Sequence, residues 1–195
     1  MLILVPVTLL CIIYYWGASQ SILEIAEQNI LDVTAKNMQI IDRQLESVQA
    51  GAVQLNVDGD IFDILERLDE MEDSQLLLSD RIVARILQKY FPDEYVLSAT
   101  IMTPRYVFGD NSQLIIPNRE FFESEFYHRM QGRRGEAQWI PTYQAREEFQ
   151  LDYDINEMIF SLVQELNPVQ ISPQAPNDIR KLAVDAVLAV SFRED

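Results

Sequence analysis

Cysteine and histidine are almost absent from this 195-residue sequence, which contains one of each, Cys11 and His128. With a single cysteine, the chain can form neither an internal disulfide nor a cysteine-based metal site. A Ser-His-Asp or Cys-His arrangement would depend on His128 alone, and the G-x-S-x-G, H-E-x-x-H and P-loop motifs are missing. We therefore predict no catalytic residues, no bound metal and no cofactor.

Carboxylates leave one enzymatic alternative open. An acid-dependent hydrolase would need two carboxyl groups held across one cleft in unlike environments, such as Glu123 and Glu147. In a chain this acidic, neighbouring acids are usually solvated, and His128 beside Arg129 is expected to face the solvent. We expect that this segment is not an enzyme.

Basic residues are scarce, with 15 Lys and Arg against 31 Asp and Glu, and the net charge is −16. Nucleic-acid binding requires a basic surface that neutralises phosphates, so we expect no nucleic-acid partner. A surface this acidic is also repelled by anionic lipid headgroups. Hydrophobic residues make up 48% of the chain, which is enough for a folded core.

The only long uncharged apolar run lies at the N-terminus, where no charged residue precedes Glu24. The stretch LILVPVTLLCIIYYWGAS ends in Tyr14, Tyr15 and Trp16, which are typical of a membrane–water boundary. We predict a transmembrane anchor over residues 1–19, with residues after about 20 extracytoplasmic because an acidic flank usually stays outside. A cleaved signal peptide is the alternative, since Gly17-Ala18-Ser19 provides small residues near a cleavage point.

Residues 20–57 are predicted to form a long stalk helix. Apolar or small residues recur at three- and four-residue spacing from Leu23 to Leu55, with Asn37 as a polar break that resembles a coiled-coil stutter. Such a helix would extend about 57 Å, and two copies could bury their apolar stripes in a homodimer. Two ordinary helices broken near Gly51 are the alternative.

Residues 58–195 are predicted to form an α+β lobe. The segment NVDGD invites a calcium interpretation, but the register of an EF-hand fails, and Asp58 or Asp60 is expected to cap the next helix. The acidic connector Asp69–Asp73 is expected to be solvated. The predicted elements, in chain order, are a helix over 79–90, strands over 95–104 and 105–111, a helix over 119–130, a strand over 136–143, a helix over 154–166, a loop over 168–178 and a strand over 181–192. Pro141 suits an edge strand or a bulge.

The order of these features resembles the extracytoplasmic double-Cache sensor region of bacterial membrane receptors. It is most similar to the group found in sensor histidine kinases of the YesM type and in membrane-anchored AraC-type regulators. The resemblance rests on loose patterns that run in order along nearly the whole chain. These are an apolar anchor ending in YYWGAS, a long helix that leads into QLNVDGDIFDIL, the helix IVARILQKY, the strand pair YVLSATIMTPRYVFGD and the stretch FYHRMQGRRGEAQWIPTY.

The resemblance implies a PAS-like, curved antiparallel sheet flanked by helices, with a pocket between the sheet and the helix–strand crossing at 119–143. It also implies that the lobe is truncated, before a second lobe, a second transmembrane helix, a HAMP segment and an output domain. Independently, a last strand at the end of the chain is expected to leave an unsatisfied sheet edge, which favours an incomplete fragment. The tentative ligand-binding residues are aromatic: Tyr106, Phe122, Phe126, Tyr127, Trp139 and Tyr143.

Position 124 bears on the ligand. Relatives that sense amino acids carry an Arg two residues before an aromatic pair, whereas here Ser124 precedes Phe126-Tyr127. The missing charge argues against a free amino acid and leaves sugars or other small organic ligands. Each aromatic residue is also a candidate for the core. Arg133 and Arg134 are expected to lie in a solvated turn.

We therefore expect a sensing module that binds an unknown small molecule or extracellular protein. Its ligand state would pass through the long helix to a histidine kinase or transcription-regulator domain that lies beyond residue 195. The alternative is a membrane-anchored or secreted interaction protein without a small-molecule pocket.

Overall fold

A computed structural model gives the architecture of the chain. It describes residues 4–92, 96–110, 118–144, 158–171, 179–182 and 184–193. The chain divides into two compact units, residues 1–46 and residues 47–195. The fold class is α+β, as predicted, with a long N-terminal helix and an antiparallel sheet flanked by helices.

Helix α1 spans Leu4–Leu55, so the predicted stalk is helical throughout. Gly51 lies inside this helix and is buried, and the alternative of two helices broken there is wrong. Within the described residues, we find no helix whose length and apolar character would allow it to cross a membrane. The predicted transmembrane anchor over residues 1–19 therefore gains no support from the fold.

The last turns of α1 belong to the second unit, where Val48, Ala52 and Leu55 are buried in its core. Asn56 follows the helix and joins its end to Asn167 and Val169 through hydrogen bonds. Its side-chain oxygen accepts a hydrogen bond from the Asn167 backbone N–H at 2.8 Å, and its backbone carbonyl accepts one from Val169 at 2.7 Å.

Helix α2, Gly59–Glu66, begins at the predicted cap. The Asp58 carboxylate accepts hydrogen bonds from the backbone N–H groups of Asp60 and Ile61 at 3.1 and 3.3 Å. Its second oxygen accepts a hydrogen bond from the Tyr90 hydroxyl at 3.2 Å. Asn56 and Asp58, which prompted the calcium interpretation, are thus engaged in internal contacts.

A single 3₁₀ turn, Leu68–Glu70, joins α2 to helix α3, Asp73–Tyr90. The helix begins six residues earlier than the predicted Ser79, because Gln75 accepts a hydrogen bond from the Glu72 backbone N–H and closes a capping box. The acidic side chains of the connector are exposed, as predicted.

Five strands form one antiparallel sheet in the order β2-β1-β7-β4-β3. Their bounds are β1 Ser98–Met102, β2 Val107–Asp110, β3 Ala137–Gln144, β4 Met158–Glu165 and β7 Val187–Arg193. The last strand pairs on both sides and lies at the centre of the sheet. The expectation that it leaves an unsatisfied edge is therefore wrong.

Two predictions for the second half of the chain are corrected. Residues 158–165 form the strand β4 and not a helix, and the predicted loop contains the strand β5, Val169–Ile171. The strand β6, Ile179–Lys181, follows this loop. β5 and β6 pair as a separate two-stranded sheet. Arg180 of β6 forms an ion pair with Glu66 of α2 and lies 5.6 Å from the centre of the Phe62 ring.

The five-stranded sheet is covered on both faces. One face, the stalk face, packs on α1, α2 and α3 through residues such as Ile101, Leu162 and Leu188. The opposite face, the distal face, packs on the helices of residues 118–130 through residues such as Ile159 and Val163. All five residues of β1 are buried, because both faces of the sheet are covered.

Candidate functional site

Two short helices replace the single helix predicted over residues 119–130. They are α4, Asn118–Glu123, and α5, Glu125–Met130, and Ser124 separates them. The Ser124 hydroxyl donates to the Phe121 carbonyl oxygen at 2.6 Å and accepts from the Tyr127 backbone N–H at 3.2 Å. A serine at this position caps α5. Its role in the structure is to turn the chain between two helices that cover the distal face.

Aromatic rings from α4 and α5 form a cluster on that face. The ring centres of Phe122 and Tyr127 are 4.7 Å apart at a steep angle, and Phe121 lies 5.3 Å from Phe122. Phe121 and Tyr127 are buried, whereas Phe122 and Tyr143 are half-buried beside them. Three predicted site residues, Phe122, Tyr127 and Tyr143, therefore share one apolar cluster.

A row of hydroxyl groups crosses the distal face beside this cluster. The Tyr143 hydroxyl on β3 lies 2.8 Å from Ser161 Oγ on β4, which lies 3.0 Å from Ser191 Oγ on β7. Ser161 and Ser191 face each other in register and are only 1% and 2% exposed. We call Tyr143, Ser161 and Ser191 the hydroxyl row. Each hydroxyl can donate or accept a hydrogen bond, so the row can present either a donor or an acceptor to a ligand.

Trp139 and Tyr106 lie on the other side of the sheet, against the stalk-face core. The Trp139 ring packs against Phe192, with ring centres 5.9 Å apart, and Tyr106 packs against Phe108 at 4.8 Å. These two predicted site residues are therefore not brought together with Phe122, Tyr127 and Tyr143.

A bulge in β3 explains this separation. Four residues apart on a regular strand, Trp139 and Tyr143 would share a face. Ile140 pairs with Ser161 and Tyr143 pairs with Ile159, so three steps on β3 match two steps on β4. The extra residue falls between Ile140 and Tyr143, in the stretch that contains Pro141, and it turns Tyr143 to the distal face.

The turn between α5 and β3 is held by Glu165, a buried carboxylate at the end of β4. It accepts hydrogen bonds from Arg134 Nε at 2.8 Å and from the Gly132 backbone N–H at 3.2 Å. Arg134 also pairs with Asp185 at 3.3 Å. Arg133 and Arg134 are both exposed, as predicted for a solvated turn, and Arg134 is in addition held by these two carboxylates.

The surroundings of Tyr127 favour its neutral form. Burial raises the pKa of Tyr127 above its ordinary value, and the nearby negative charges of Asp185 and Glu165 raise it further. The hydrogen bond with Gln131 and the charge of Arg134 oppose this increase without cancelling it. The hydroxyl of Tyr127 is therefore protonated at neutral pH.

Several predicted residues have no counterpart in this site. The side chain of Phe126 and residue Glu147, half of the hydrolase pair, lie outside the described residues. Glu123 and His128 are exposed, as predicted for His128. Among the described residues, no group of three His, Cys, Asp or Glu side chains could hold a metal ion.

The hydroxyl row was missed by sequence reasoning, because its serines lie on strands that the sequence did not place together. Ser161 falls in the segment mispredicted as a helix, and only the pairing of β4 with β7 brings it to Ser191. In comparisons with known proteins, no family model and no curated protein matches this chain.

Proposed function

We propose that residues 47–195 are a signal-sensing lobe of the double-Cache, PAS-like kind, with a small-molecule site on the distal face of the sheet. The observation that carries this proposal is the hydroxyl row beside the aromatic cluster of α4 and α5. A ligand at that position would lie between the sheet and the 119–143 crossing, where the resemblance implies a pocket.

The topology of the sheet also supports this proposal. When the strands of the five-stranded sheet are numbered by themselves in chain order, without β5 and β6, their order across the sheet is 2-1-5-4-3. A PAS-like sheet has this all-antiparallel order. One face packs on α1 to α3 and the distal face packs on α4 and α5, so the proposed site lies between the distal face and these two short helices.

The chemistry of the distal face favours a neutral ligand that carries hydroxyl or carbonyl groups, such as a sugar. Aromatic rings supply flat apolar surface, and the half-buried Tyr143 hydroxyl stands at the more exposed end of the hydroxyl row. The buried carboxylate of Glu165 is already paired with Arg134. Ser124 caps α5, so its place in the sequence serves the fold and adds no charge that would hold a free amino acid.

The receptor context is part of the same proposal. The lobe would lie outside the cytoplasm on a membrane anchor within residues 1–19, and α1 would carry the ligand state toward a kinase or transcription-regulator output. Apolar side chains along α1 are exposed and could join two copies of the chain: Leu23, Ile30, Val33, Ile40 and Ile41. In a heptad register Leu23, Ile30 and Asn37 share one position, where a single Asn specifies pairing in parallel dimers.

A second candidate function is an interaction protein without a small-molecule pocket. The observation that favours it is the close packing of the aromatic cluster, in which Phe121 is 1% exposed. If these rings only fill the core, recognition would use the outer surface of α4 and α5 instead.

A thermal-shift screen of the full chain against sugars, organic acids and short peptides separates the two candidates. A sensor gives a stabilising hit that weakens in Tyr143→Phe, which removes one hydroxyl and keeps the ring. Tyr106→Phe is the matched control, because Tyr106 lies on the stalk face and should leave the hit unchanged. A library without hits, together with equal folding of all variants, favours the interaction protein.

A further inference from the structure

A second concave site lies between α3 and the strand pair β1–β2, in a cavity of about 500 Å³. Its floor is apolar and comes from buried residues, Leu87, Phe91 and Val96 among them. Its polar lining includes Ser98 at the start of β1 and three side chains of α3, which are Arg81, Arg85 and Gln88. This volume lies in the range of sites that hold small organic molecules.

The two arginines are placed on one face of α3 by their spacing. Residues 81, 85 and 88 are four and three positions apart, so their side chains project over the same stripe of the helix. Like charges four residues apart on a helix repel each other. A bound anion would convert this repulsion into attraction.

No described acid neutralises these arginines. Within the described residues, neither Arg81 nor Arg85 takes part in an ion pair, although the chain carries a net charge of −16. Asp80, their neighbour on α3, accepts a hydrogen bond from the Gly109 backbone N–H at 2.8 Å and so faces β2. No Asp or Glu of the described part of the chain lines the cavity.

We propose that this cavity binds a small organic acid, with its carboxylate at Arg81 and Arg85 and its apolar body against Leu87 and Phe91. Arginine is suited to this role, because its planar guanidinium can hold a carboxylate through two parallel hydrogen bonds. A bare inorganic anion has no apolar surface that could pack against the floor of the cavity. An organic acid is therefore the preferred ligand. The site is independent of the hydroxyl row.

Titration calorimetry on the full chain tests this proposal with benzoate as the probe. Benzamide is the matched neutral compound, and inorganic phosphate is the anion without an apolar body. Benzoate should bind, both other probes should bind at least about tenfold more weakly, and the affinity for benzoate should fall as salt is added.

The double variant Arg81→Gln/Arg85→Gln should lower the affinity for benzoate by about tenfold or more, because it removes charge-assisted hydrogen bonds. Lys89→Gln, which removes one positive charge on the same helix outside the cavity lining, is the control and should change the affinity less than about twofold. Ala84→Phe, which places a ring in the cavity lining, should also abolish binding. Circular dichroism verifies that each variant is folded.

Four results would overturn the proposal, and the first three concern benzamide and the variants. They are equal affinity for benzoate and benzamide, unchanged affinity in the arginine double variant, and an equal loss in Lys89→Gln. Tighter binding of phosphate than of benzoate would also contradict it. Because Tyr143→Phe should leave benzoate binding unchanged, a failure here is distinguishable from a failure of the site on the distal face.

Discussion

The hydroxyl row makes a quantitative prediction about stability. Ser161→Ala removes two hydrogen bonds, to the Tyr143 hydroxyl at 2.8 Å and to Ser191 Oγ at 3.0 Å. Tyr143 is half-buried and can turn to water, whereas Ser191 is buried and would be left with an orphaned hydroxyl. A buried unsatisfied hydroxyl costs about 1–3 kcal/mol, so we expect Ser161→Ala to lower the free energy of unfolding by about 2 kcal/mol.

Ser191→Ala should cost less, about 1 kcal/mol, because Ser161 keeps Tyr143 as its partner. In the double variant neither buried hydroxyl remains, so no orphan is created. We therefore expect a total loss of about 2 kcal/mol, where simple addition of the single variants gives about 3 kcal/mol. The missing kcal/mol is the coupling between the two serines.

Urea unfolding of the full chain, followed by tryptophan fluorescence, measures these losses as shifts in the midpoint at constant slope. Ser98→Ala is the control, since Ser98 faces Ser191 in register without a side-chain hydrogen bond among the described residues. It should change the free energy of unfolding by less than about 0.5 kcal/mol. Additive losses in the double variant, or a loss in Ser161→Ala no larger than in Ser98→Ala, would refute the assigned hydrogen-bond row.

Three further predictions concern the backbone, the pH dependence and the assembly. Gly109→Ala should destabilise the chain by about 3 kcal/mol or more in the same assay, because a β-carbon would lie 2.5 Å from the Ala99 carbonyl oxygen at a φ of 109°. Gly132→Ala, at a φ of 87° with no atom within 4 Å, should cost only about 1–2 kcal/mol. Equal losses would exclude the steric cause. The folded state raises the pKa of Tyr127, so folding favours the protonated tyrosine. The resulting contribution to the free energy of unfolding is complete below the ordinary tyrosine pKa and is lost as pH rises through the pKa of the folded state. Tyr127→Phe should flatten this alkaline decline in pH-dependent unfolding; an unchanged decline would assign it to other groups. Sedimentation should detect a dimer that Ile30→Asp dissociates, and a strictly monomeric wild-type chain at high concentration would contradict pairing through α1.

Local signals in the sequence predicted local structure well. Asp58 caps α2 because a short acceptor side chain before an apolar run satisfies free backbone N–H groups, and this requires no knowledge of the fold. Pro141 lies at a bulge in an edge strand because proline cannot donate to an interior ladder. The continuous helix through Gly51 was also predicted from spacing alone.

The failures arose where tertiary contacts decide the structure. In β4, Ile159, Leu162 and Val163 have the spacing of a helix face, but an interior strand buries both of its faces and loses the alternating pattern. Which residues share the candidate site also could not be predicted from the sequence. The bulge at Pro141 reverses the face of Tyr143 relative to Trp139, and a count of residues along the strand cannot show which position absorbs the extra residue.

Hydrogen exchange of the full chain, with and without the best hit of the thermal-shift screen, tests the central claim most directly. If a small ligand binds on the distal face, exchange should slow in β3, β4 and α5, and this protection should be lost in Tyr143→Phe. Protection confined to other segments, or protection that persists fully in Tyr143→Phe, would contradict a ligand site at the hydroxyl row.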